Sequence, residues 1–243
     1  MPRSRFRPWS PGRLLSALLL GLGIGTASLA DEISMDTTEQ RIQPCLACHA
    51  EKGINLQSGF VPSLHGKPAG YLFNQLMNYK DGRRHHRGME LMVRNLSPEY
   101  LQEIAEYFAA LEGDYRAAAS EPASATLRER ADELITRGDP ARDVPACIAC
   151  HGERLTGAEP HTPGLLGLPS HYVAAQMTAW RSGRREAAEP DCMQAIAERL
   201  SSEDIYALSR WIAARPVPDD PQPLAEPIAD LPMDCGSIAM PES

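Results

Sequence analysis

The chain has 243 residues, an aromatic content of only 6% and a formal net charge of −8 at pH 7. A negatively charged surface repels nucleic acids and anionic lipids, so the composition argues against a nucleic-acid-binding protein. The low aromatic content and the scarcity of β-branched runs argue against a large β-sheet.

Residues 1–30 have the composition of a secretory signal peptide. Several arginines precede an apolar stretch over 14–25, and Ser28-Leu29-Ala30 is a small-residue cleavage site. The apolar stretch is shorter than the ~20 residues that a membrane-spanning helix needs, so we expect cleavage after Ala30 rather than a retained anchor. Cleavage would leave 20 basic and 32 acidic residues, a formal charge of −12, on a periplasmic protein without a transmembrane segment.

The pentapeptide C-x-x-C-H occurs twice, from Cys45 to His49 and from Cys147 to His151. In this motif two thiols on one helical turn add to the vinyl groups of a haem, and the following histidine reaches the iron. A zinc site or a pair of redox-active disulfides is the alternative, but neither has its usual sequence context here. We therefore predict two covalently bound haem c groups, with these attachment residues and proximal ligands: Cys45, Cys48, His49, Cys147, Cys150 and His151.

The two halves of the chain also match outside these motifs, at an offset of 101 to 104 residues. The same loop prolines, helix tyrosine and glutamine, glycine-arginine turn, methionine and leucine-serine pair recur in the same order. This internal repeat predicts a duplicated domain. We place the first domain at 31–113, a linker at 114–125, the second domain at 126–215 and a proline-rich tail at 216–243.

Each half is predicted to consist of short helices joined by loops. Middle helices over 71–80 and 171–181 end at Gly82 and Gly183, because glycine commonly ends helices. The methionines within them are assigned to the core: Met77 and Met177.

The last helix of each half is predicted to begin after a serine cap, Ser97 or Ser201. A helix over 125–137 opens the second half, whereas its counterpart in the first half is truncated or missing. Prolines from 216 onward exclude a regular helix or a central strand, so we expect the tail to lie extended over the surface.

The sixth iron ligand decides whether a haem only carries electrons or also binds substrates. Met89 and Met193 are the candidates, because they occupy equivalent positions in the repeat. Met92 is a rival to Met89, and His85 or His86 would make the first haem bis-histidine, but none of these three is matched in the second half. Methionine as the sixth ligand raises the reduction potential and closes the iron to substrates.

Two cysteines remain outside the haem motifs, Cys192 and Cys235. In an exported protein an even remainder favours a disulfide, which here would hold the tail beside Met193. The alternative is that the Cys192 thiolate replaces Met193 on the iron, which would lower the potential and suggest catalysis on sulfur compounds.

These motifs together resemble the cytochrome c4 family of di-haem cytochromes, over residues 43–215. The resemblance implies an all-α protein with two tandem class I cytochrome c domains related by pseudo-symmetry, followed here by the extended tail. It also implies a periplasmic carrier, not an enzyme, that passes single electrons from a respiratory donor complex or dehydrogenase to a terminal oxidase.

The resemblance further implies the residues of each haem site. His49 and Met89 would ligate the first iron, and His151 and Met193 the second. The backbone carbonyls of two loop prolines would hold the proximal imidazoles: Pro62 and Pro163.

Arginines and aromatic residues near the ligand loops are candidates for contacts with the haem propionates. Arg83 and Arg184 are an equivalent pair that would neutralise propionates, unless they belong to a solvated loop. Tyr79 and Trp180 would each add a hydrogen bond.

Two other functions stay open at this point. A di-haem enzyme, of the peroxidase or thiosulfate dehydrogenase type, needs an iron that can open or one with Cys or His ligation. A bound cytochrome subunit of a dehydrogenase would keep the electron-carrying chemistry and use the tail as its docking element.

Overall fold

The computed structural model describes residues 37–49, 61–112 and 124–238. The predicted signal peptide at 1–30, most of the predicted linker and the last residues of the tail lie outside this part of the chain. Helices provide nearly all of the regular structure, which confirms the all-α prediction.

The described residues of the first half, 37–49 and 61–112, contain five helices: α1 (Thr38–Arg41), α2 (Gln43–His49), α3 (Ala69–Lys80), α4 (Arg87–Val93) and α5 (Pro98–Ala110). Helix α3 packs mainly on α5. The centre of this core is fully buried, with Leu101, Phe108 and Ile42 each at most 1% exposed. Apolar residues at helical spacing on α5 therefore form its core face.

The second half repeats this arrangement with α6 (Ala125–Thr136), a 3-10 turn (Pro140–Arg142), α7 (Ile148–His151), α8 (Ser170–Arg181), α9 (Cys192–Arg199) and α10 (Ser202–Ala214). Two short antiparallel strands, β1 (Gly157–Ala158) and β2 (Thr162–Pro163), lie between α7 and α8. Helix α10 packs on both α6 and α8 around a separate hydrophobic core. Each half thus has its own core.

Local chemistry explains where the principal helices begin and end. The Ser97 hydroxyl accepts the Tyr100 N–H at 3.3 Å, and the Ser201 hydroxyl accepts the Asp204 N–H at 3.0 Å, so both predicted caps are present. Helices α3 and α8 end before Gly82 and Gly183, whose φ angles of +75° and +67° suit glycine.

The opening helix of the first half is reduced to a single turn, α1, capped by Thr37. Ile42, directly after it, is 0% exposed and supplies the apolar contact with the core. In the second half this place is taken by the three-turn helix α6, which presents Leu134 and Ile135 to the core. The asymmetry at this end of the repeat agrees with the sequence prediction.

A charged network joins α6 to α10 in the second half. Arg130 donates to Asp204 at 2.8 Å and to Asp139 at 2.9 Å, and Arg142 donates to Asp204 at 2.9 Å. The Asp204 side chain is only 6% exposed, so its two guanidinium partners compensate a buried charge.

The proline-rich tail runs extended, as predicted, and touches both halves. Leu224 pairs with β1 through backbone hydrogen bonds to Gly157 and Glu159, of 2.9 and 2.8 Å. Further along, the Ser237 carbonyl accepts a 2.9 Å hydrogen bond from the Asn74 side chain on α3. The tail therefore reaches from the β1 strand of the second half to the middle helix of the first.

Among the residues described, no helix is both long enough and apolar enough to cross a membrane.

Candidate haem sites

The first C-x-x-C-H motif lies at the end of α2. His49 closes this helix and is 8% exposed, whereas Cys45 is half-buried and Cys48 is exposed. Neither cysteine takes part in a disulfide. One helical turn therefore presents two thiols and a buried imidazole, as covalent haem attachment requires.

The second motif is arranged in the same way. Cys147 directly precedes the short helix α7, Cys150 lies within it, and His151 closes it at 9% exposure. Burial raises the pKa of the Cys147 thiol to about 12, and burial also raises the pKa of Cys150. Burial therefore favours the neutral thiol over the charged thiolate at both positions.

A loop proline orients each proximal histidine. The Nδ1 atom of His49 lies 3.0 Å from the Pro62 carbonyl oxygen, and the Nδ1 atom of His151 lies 2.8 Å from the Pro163 carbonyl oxygen. Since a carbonyl only accepts, Nδ1 carries the proton and Nε2 keeps a free lone pair for a metal.

Burial also keeps both imidazoles neutral. It lowers the pKa of His49 and of His151, and this effect outweighs the opposing influence of the proline carbonyls. A neutral imidazole with a fixed tautomer is the form that ligates iron.

The two candidate methionines occupy equivalent short helices, each placed just before the last helix of its half. Met89 is on α4 and Met193 is on α9, and both side chains are half-buried. Met92 is 43% exposed on α4. Met77 and Met177 pack against the two hydrophobic cores.

The two histidines beside Met89 have other partners. The His86 ring accepts the Met89 N–H at 3.4 Å and thereby caps α4. His85 lies 3.2 Å from Glu90, and both histidines are exposed. These contacts give His85 and His86 a role in ordering the start of α4.

Cys192 and Cys235 form a disulfide in the structure, with their Cα atoms 5.2 Å apart. Cys192 is the first residue of α9 and immediately precedes Met193. The next residue of the tail, Gly236, donates a 2.9 Å hydrogen bond from its N–H to the Pro190 carbonyl, and this bond also holds the tail beside α9. In this pairing the Cys192 sulfur is not available as an iron ligand.

The arginines that the sequence singled out lie at the surface. Arg83 pairs with Asp81 at 2.7 Å and with Asn78 at 2.8 Å, and Arg184 is exposed. The buried pair is formed by the next residue in each turn, Arg84 at 7% and Arg185 at 4% exposure.

Arg84 and Arg185 meet at the contact between the two halves. Arg84 donates to Gln75 at 2.9 Å and to Gln176 at 2.8 Å, and Arg185 donates to the same two side-chain oxygens at 2.8 Å each. Arg84 also donates to the Tyr172 hydroxyl at 3.2 Å, and Arg185 bonds to Tyr71. The contact is thus built from equivalent residues of the repeat.

All of these partners are uncharged. No carboxylate in the described part of the chain lies within 4 Å of either buried guanidinium. Burial, followed by the positive charge of Arg84, lowers the pKa of Arg185. Two buried like charges without a counterion are unfavourable, so this interface is suited to bind anionic groups.

Tyr79 and Trp180 lie against this pair. The Arg84 guanidinium is 4.7 Å from the Tyr79 ring centre, and the Arg185 guanidinium is 3.6 Å from the Trp180 ring centre. The indole N–H of Trp180 is buried and has no hydrogen-bond partner. A buried donor without a partner costs free energy, so it marks a place where a bound acceptor fits.

The residues present therefore fit two haem c groups. Each half supplies two thiols outside any disulfide, a neutral buried imidazole and a half-buried methionine, and the two buried arginines and the Trp180 N–H suit propionate oxygens. Within 37–49, 61–112 and 124–238, no group of three or more His, Cys, Asp or Glu side chains is placed to share a metal ion, as a zinc site would need.

The sequence alone did not reveal the role of Gln75, Gln176, Arg84 and Arg185. The only sequence signal for them is that they form two equivalent pairs at the same offset in the repeat. A repeat alone does not distinguish positions kept for the fold of one half from positions that meet across the contact.

No protein-family model matches the chain. Cytochrome c4 of Pseudomonas aeruginosa is 34% identical over 203 residues, which cover 82% of this chain and 97% of that protein. The thiosulfate dehydrogenase electron acceptor of Thiomonas intermedia is 33% identical over 173 residues, 71% of this chain and 79% of that protein.

Two solved structures share the fold. Reduced recombinant cytochrome c4 from Pseudomonas stutzeri gives a TM-score of 0.61 at 30% identity, over 72% of this chain and 94% of that one. Thiosulfate dehydrogenase (TsdBA) from Marichromatium purpuratum gives the same TM-score at 35% identity, over 71% of this chain but only 36% of that larger one. With two haem c groups as its cofactors, the chain is a di-haem electron carrier and belongs to the cytochrome c4 family.

Proposed function

We propose that this protein is a periplasmic electron carrier that accepts single electrons from a thiosulfate-oxidising dehydrogenase and delivers them to a terminal acceptor such as an oxidase. The observation that carries the proposal is the equivalence of the two halves, each with a proximal histidine tied to a proline carbonyl and a methionine on a matching short helix. The relative named as a thiosulfate dehydrogenase electron acceptor supports the choice of donor.

His49 and Met89 would hold the first haem iron, and His151 and Met193 the second. When bound, each haem c would supply a one-electron couple, and a histidine and methionine pair would leave no place on the iron for a substrate. The Pro62 and Pro163 carbonyls hold the Nδ1 protons, which leaves the Nε2 lone pair of each histidine free to bind a metal.

Arg84 and Arg185, rather than Arg83 and Arg184, face the propionates. The two buried guanidinium groups have only neutral partners among the described residues, whereas Arg83 already pairs with Asp81. The unpartnered Trp180 N–H adds a donor on the second side. Anionic groups at this contact would neutralise the buried charge and link both haem sites to the interface.

The domain division at 31–113 and 126–215 is part of the same proposal, with a signal peptide at 1–30 and the tail from 216. Separate hydrophobic cores in the two halves support this division. The second core begins on α6, whose first residue Ala125 is also the last residue of the proposed linker.

A thiosulfate-oxidising enzyme is the second candidate. The likeness to TsdBA favours it, although this chain spans about a third of that larger one. The pairing of Cys192 with Cys235 argues against it, because it removes the thiolate that would replace Met193.

The test is a single-turnover experiment with the purified holoprotein. Oxidised protein is mixed with thiosulfate alone, and then with thiosulfate and a catalytic amount of thiosulfate dehydrogenase. We expect no reduction in the first mixture and reduction of both haems in the second. Reduction by thiosulfate alone would establish the enzyme, and no reduction in either mixture would exclude this donor.

A further inference from the structure

Helix α4 carries an exposed apolar pair beside the proposed ligand Met89. Leu91 is 52% exposed and Met92 is 43% exposed. The described residues contain few large hydrophobic side chains of comparable exposure, and these two are adjacent on a helix of two turns. Adjacent exposed apolar side chains mark contact surfaces more often than isolated ones do.

Two exposed arginines flank this pair. Neither Arg87 nor Arg94 has a carboxylate within 4 Å in the part of the chain that the structure describes. Arg87 lies in the first turn of α4, where the helix dipole disfavours a positive charge, so helix stability does not explain it. The acidic residue of this helix, Glu90, is occupied by the His86 N–H at 3.1 Å and by His85.

The equivalent helix of the second half lacks these two positive charges. Counted from Met89 and Met193, the positions of Arg87 and Arg94 are taken by Asp191 and Glu198. Asp191 is buried as the cap of α9, and the exposed Glu198 is followed by the exposed Arg199.

The apolar pair is not repeated on α9 either. Leu91 and Met92 correspond to Ala195 and Ile196, and Ile196 packs against the core. The tail is also attached to the first residue of α9 through the Cys192 disulfide. The two methionine-bearing helices therefore present different surfaces, although the sites beneath them are equivalent.

We propose that Arg87, Leu91, Met92 and Arg94, the α4 face, form the docking site for an acidic surface on a protein redox partner. The chain as a whole is acidic, so a basic and apolar spot on it attracts an acidic partner in one orientation and directs it to the first haem. The α9 helix lacks both the arginine pair and the exposed apolar pair, so it does not attract the same partner, which leaves the second haem to a different one.

The identity of this partner as the electron-donating dehydrogenase rests on the proposed function, but the charge and apolar character of the α4 face do not. In the transfer step one electron leaves the reduced donor and enters the oxidised carrier, and no proton or atom changes place. The docking surface affects how fast the complex forms and in which orientation.

The experiment measures the second-order rate at which thiosulfate-reduced thiosulfate dehydrogenase reduces the carrier, at low and high ionic strength. The variants are R87E/R94E, L91Q/M92Q and the control R137E, which reverses an exposed arginine at the end of α6. Each must keep the two reduction potentials of the wild type, so that a slower rate does not reflect a smaller driving force.

We expect R87E/R94E to be ~10-fold slower at low ionic strength and to lose most of its salt dependence, because the steering charges are gone. L91Q/M92Q should be slower at both ionic strengths, and R137E should match the wild type. Equal rates for R87E/R94E and R137E would overturn the proposal.

If the enzyme fails to reduce even the wild type, the proposed donor is wrong. The small anion hexacyanoferrate(III) then tests separately whether the α4 face attracts negatively charged reactants. Oxidation of the reduced carrier by this anion should be ~10-fold slower in R87E/R94E, whereas oxidation by cationic tris(1,10-phenanthroline)cobalt(III) should be faster. Unchanged rates with both reagents would overturn the proposal. Sedimentation with anionic phospholipid vesicles that is lost in R87E/R94E would also overturn it, since the occupant would then be a membrane.

Discussion

Arg84 in the first half of the chain donates a 2.8 Å hydrogen bond to the side-chain oxygen of Gln176 in the second. The equivalent bond runs from Arg185 to Gln75 at the same distance. Each guanidinium therefore crosses to the glutamine of the other half, and the contact is self-complementary about a pseudo-two-fold axis.

Replacing Gln176 by leucine tests this contact. The change removes one of the two glutamine acceptors that both buried guanidinium groups share, so the free energy of unfolding of the holoprotein should fall by about 1–3 kcal/mol. Gln222→Leu, on the exposed tail, is the control and should stay within ~0.5 kcal/mol of the wild type. Urea denaturation measures both, and equal stability of the two variants would show that the contact contributes nothing.

Replacing Met89 by alanine tests the ligand of the first iron. The first reduction potential should fall on the order of 0.1 V or more, a fraction of the ~0.8 V range that axial ligands control, and the second should change little. Met92→Ala, three residues further on α4, should leave both potentials in place. Two unchanged steps in a redox titration of Met89→Ala would exclude Met89 as the ligand.

The Cys192 to Cys235 disulfide closes a separation of 43 residues. Replacing both cysteines by serine should lower the free energy of unfolding by about 2–4 kcal/mol, chiefly because the unfolded chain gains freedom. Hydrogen exchange should then rise across the tail and the start of α9, next to Met193. Asn74→Ala, which removes only the side-chain contact with Ser237, is the matched control, and exchange that rises equally in both variants would contradict an anchoring role for the disulfide.

The lowered pKa of Asp204 predicts that the folded protein loses stability in acid. Partial burial raises its pKa, but hydrogen bonds from Arg130, Ser201 and Arg142 outweigh this and hold the pKa of the carboxyl below its usual range. A lowered folded-state pKa contributes stability that is complete above the unfolded value of ~3.9 and is lost as the pH falls through the folded value.

Urea denaturation at pH values from about 7 down to 3 should therefore show a fall in the free energy of unfolding below ~4 that is smaller in Asp204→Asn. The variant itself should be less stable by about 1–3 kcal/mol near neutral pH. Asp132→Asn, at an exposed pair with Arg215, is the control. An acid response of Asp204→Asn identical to that of the wild type would contradict the prediction.

Much of this fold could be predicted because its elements are determined locally. The caps at Ser97 and Ser201 and the glycines after α3 and α8 depend on hydrogen bonds and backbone angles within a few residues. The pairing of Leu224 with β1 could not be predicted, because it joins segments far apart in sequence and has no local pattern.

The arginines around Gly82 and Gly183 show that the site, too, could be predicted only in part from the sequence. Three arginines follow or flank each turn glycine, and the sequence does not indicate which of them is buried, because burial depends on the other half of the molecule. The structure places Arg84 and Arg185 inside and leaves Arg83 and Arg184 at the surface.

We propose that both irons have equivalent histidine and methionine ligands and that the two haems only carry electrons. The most direct test is the absorption spectrum of the purified holoprotein, oxidised in air and then reduced, together with the haem content per chain. We expect two low-spin c-type haems, with the weak red-edge band of methionine-ligated ferric iron at the strength of two sites. A high-spin component, or the band at half strength, would mean that one iron is open or differently ligated and would contradict the account.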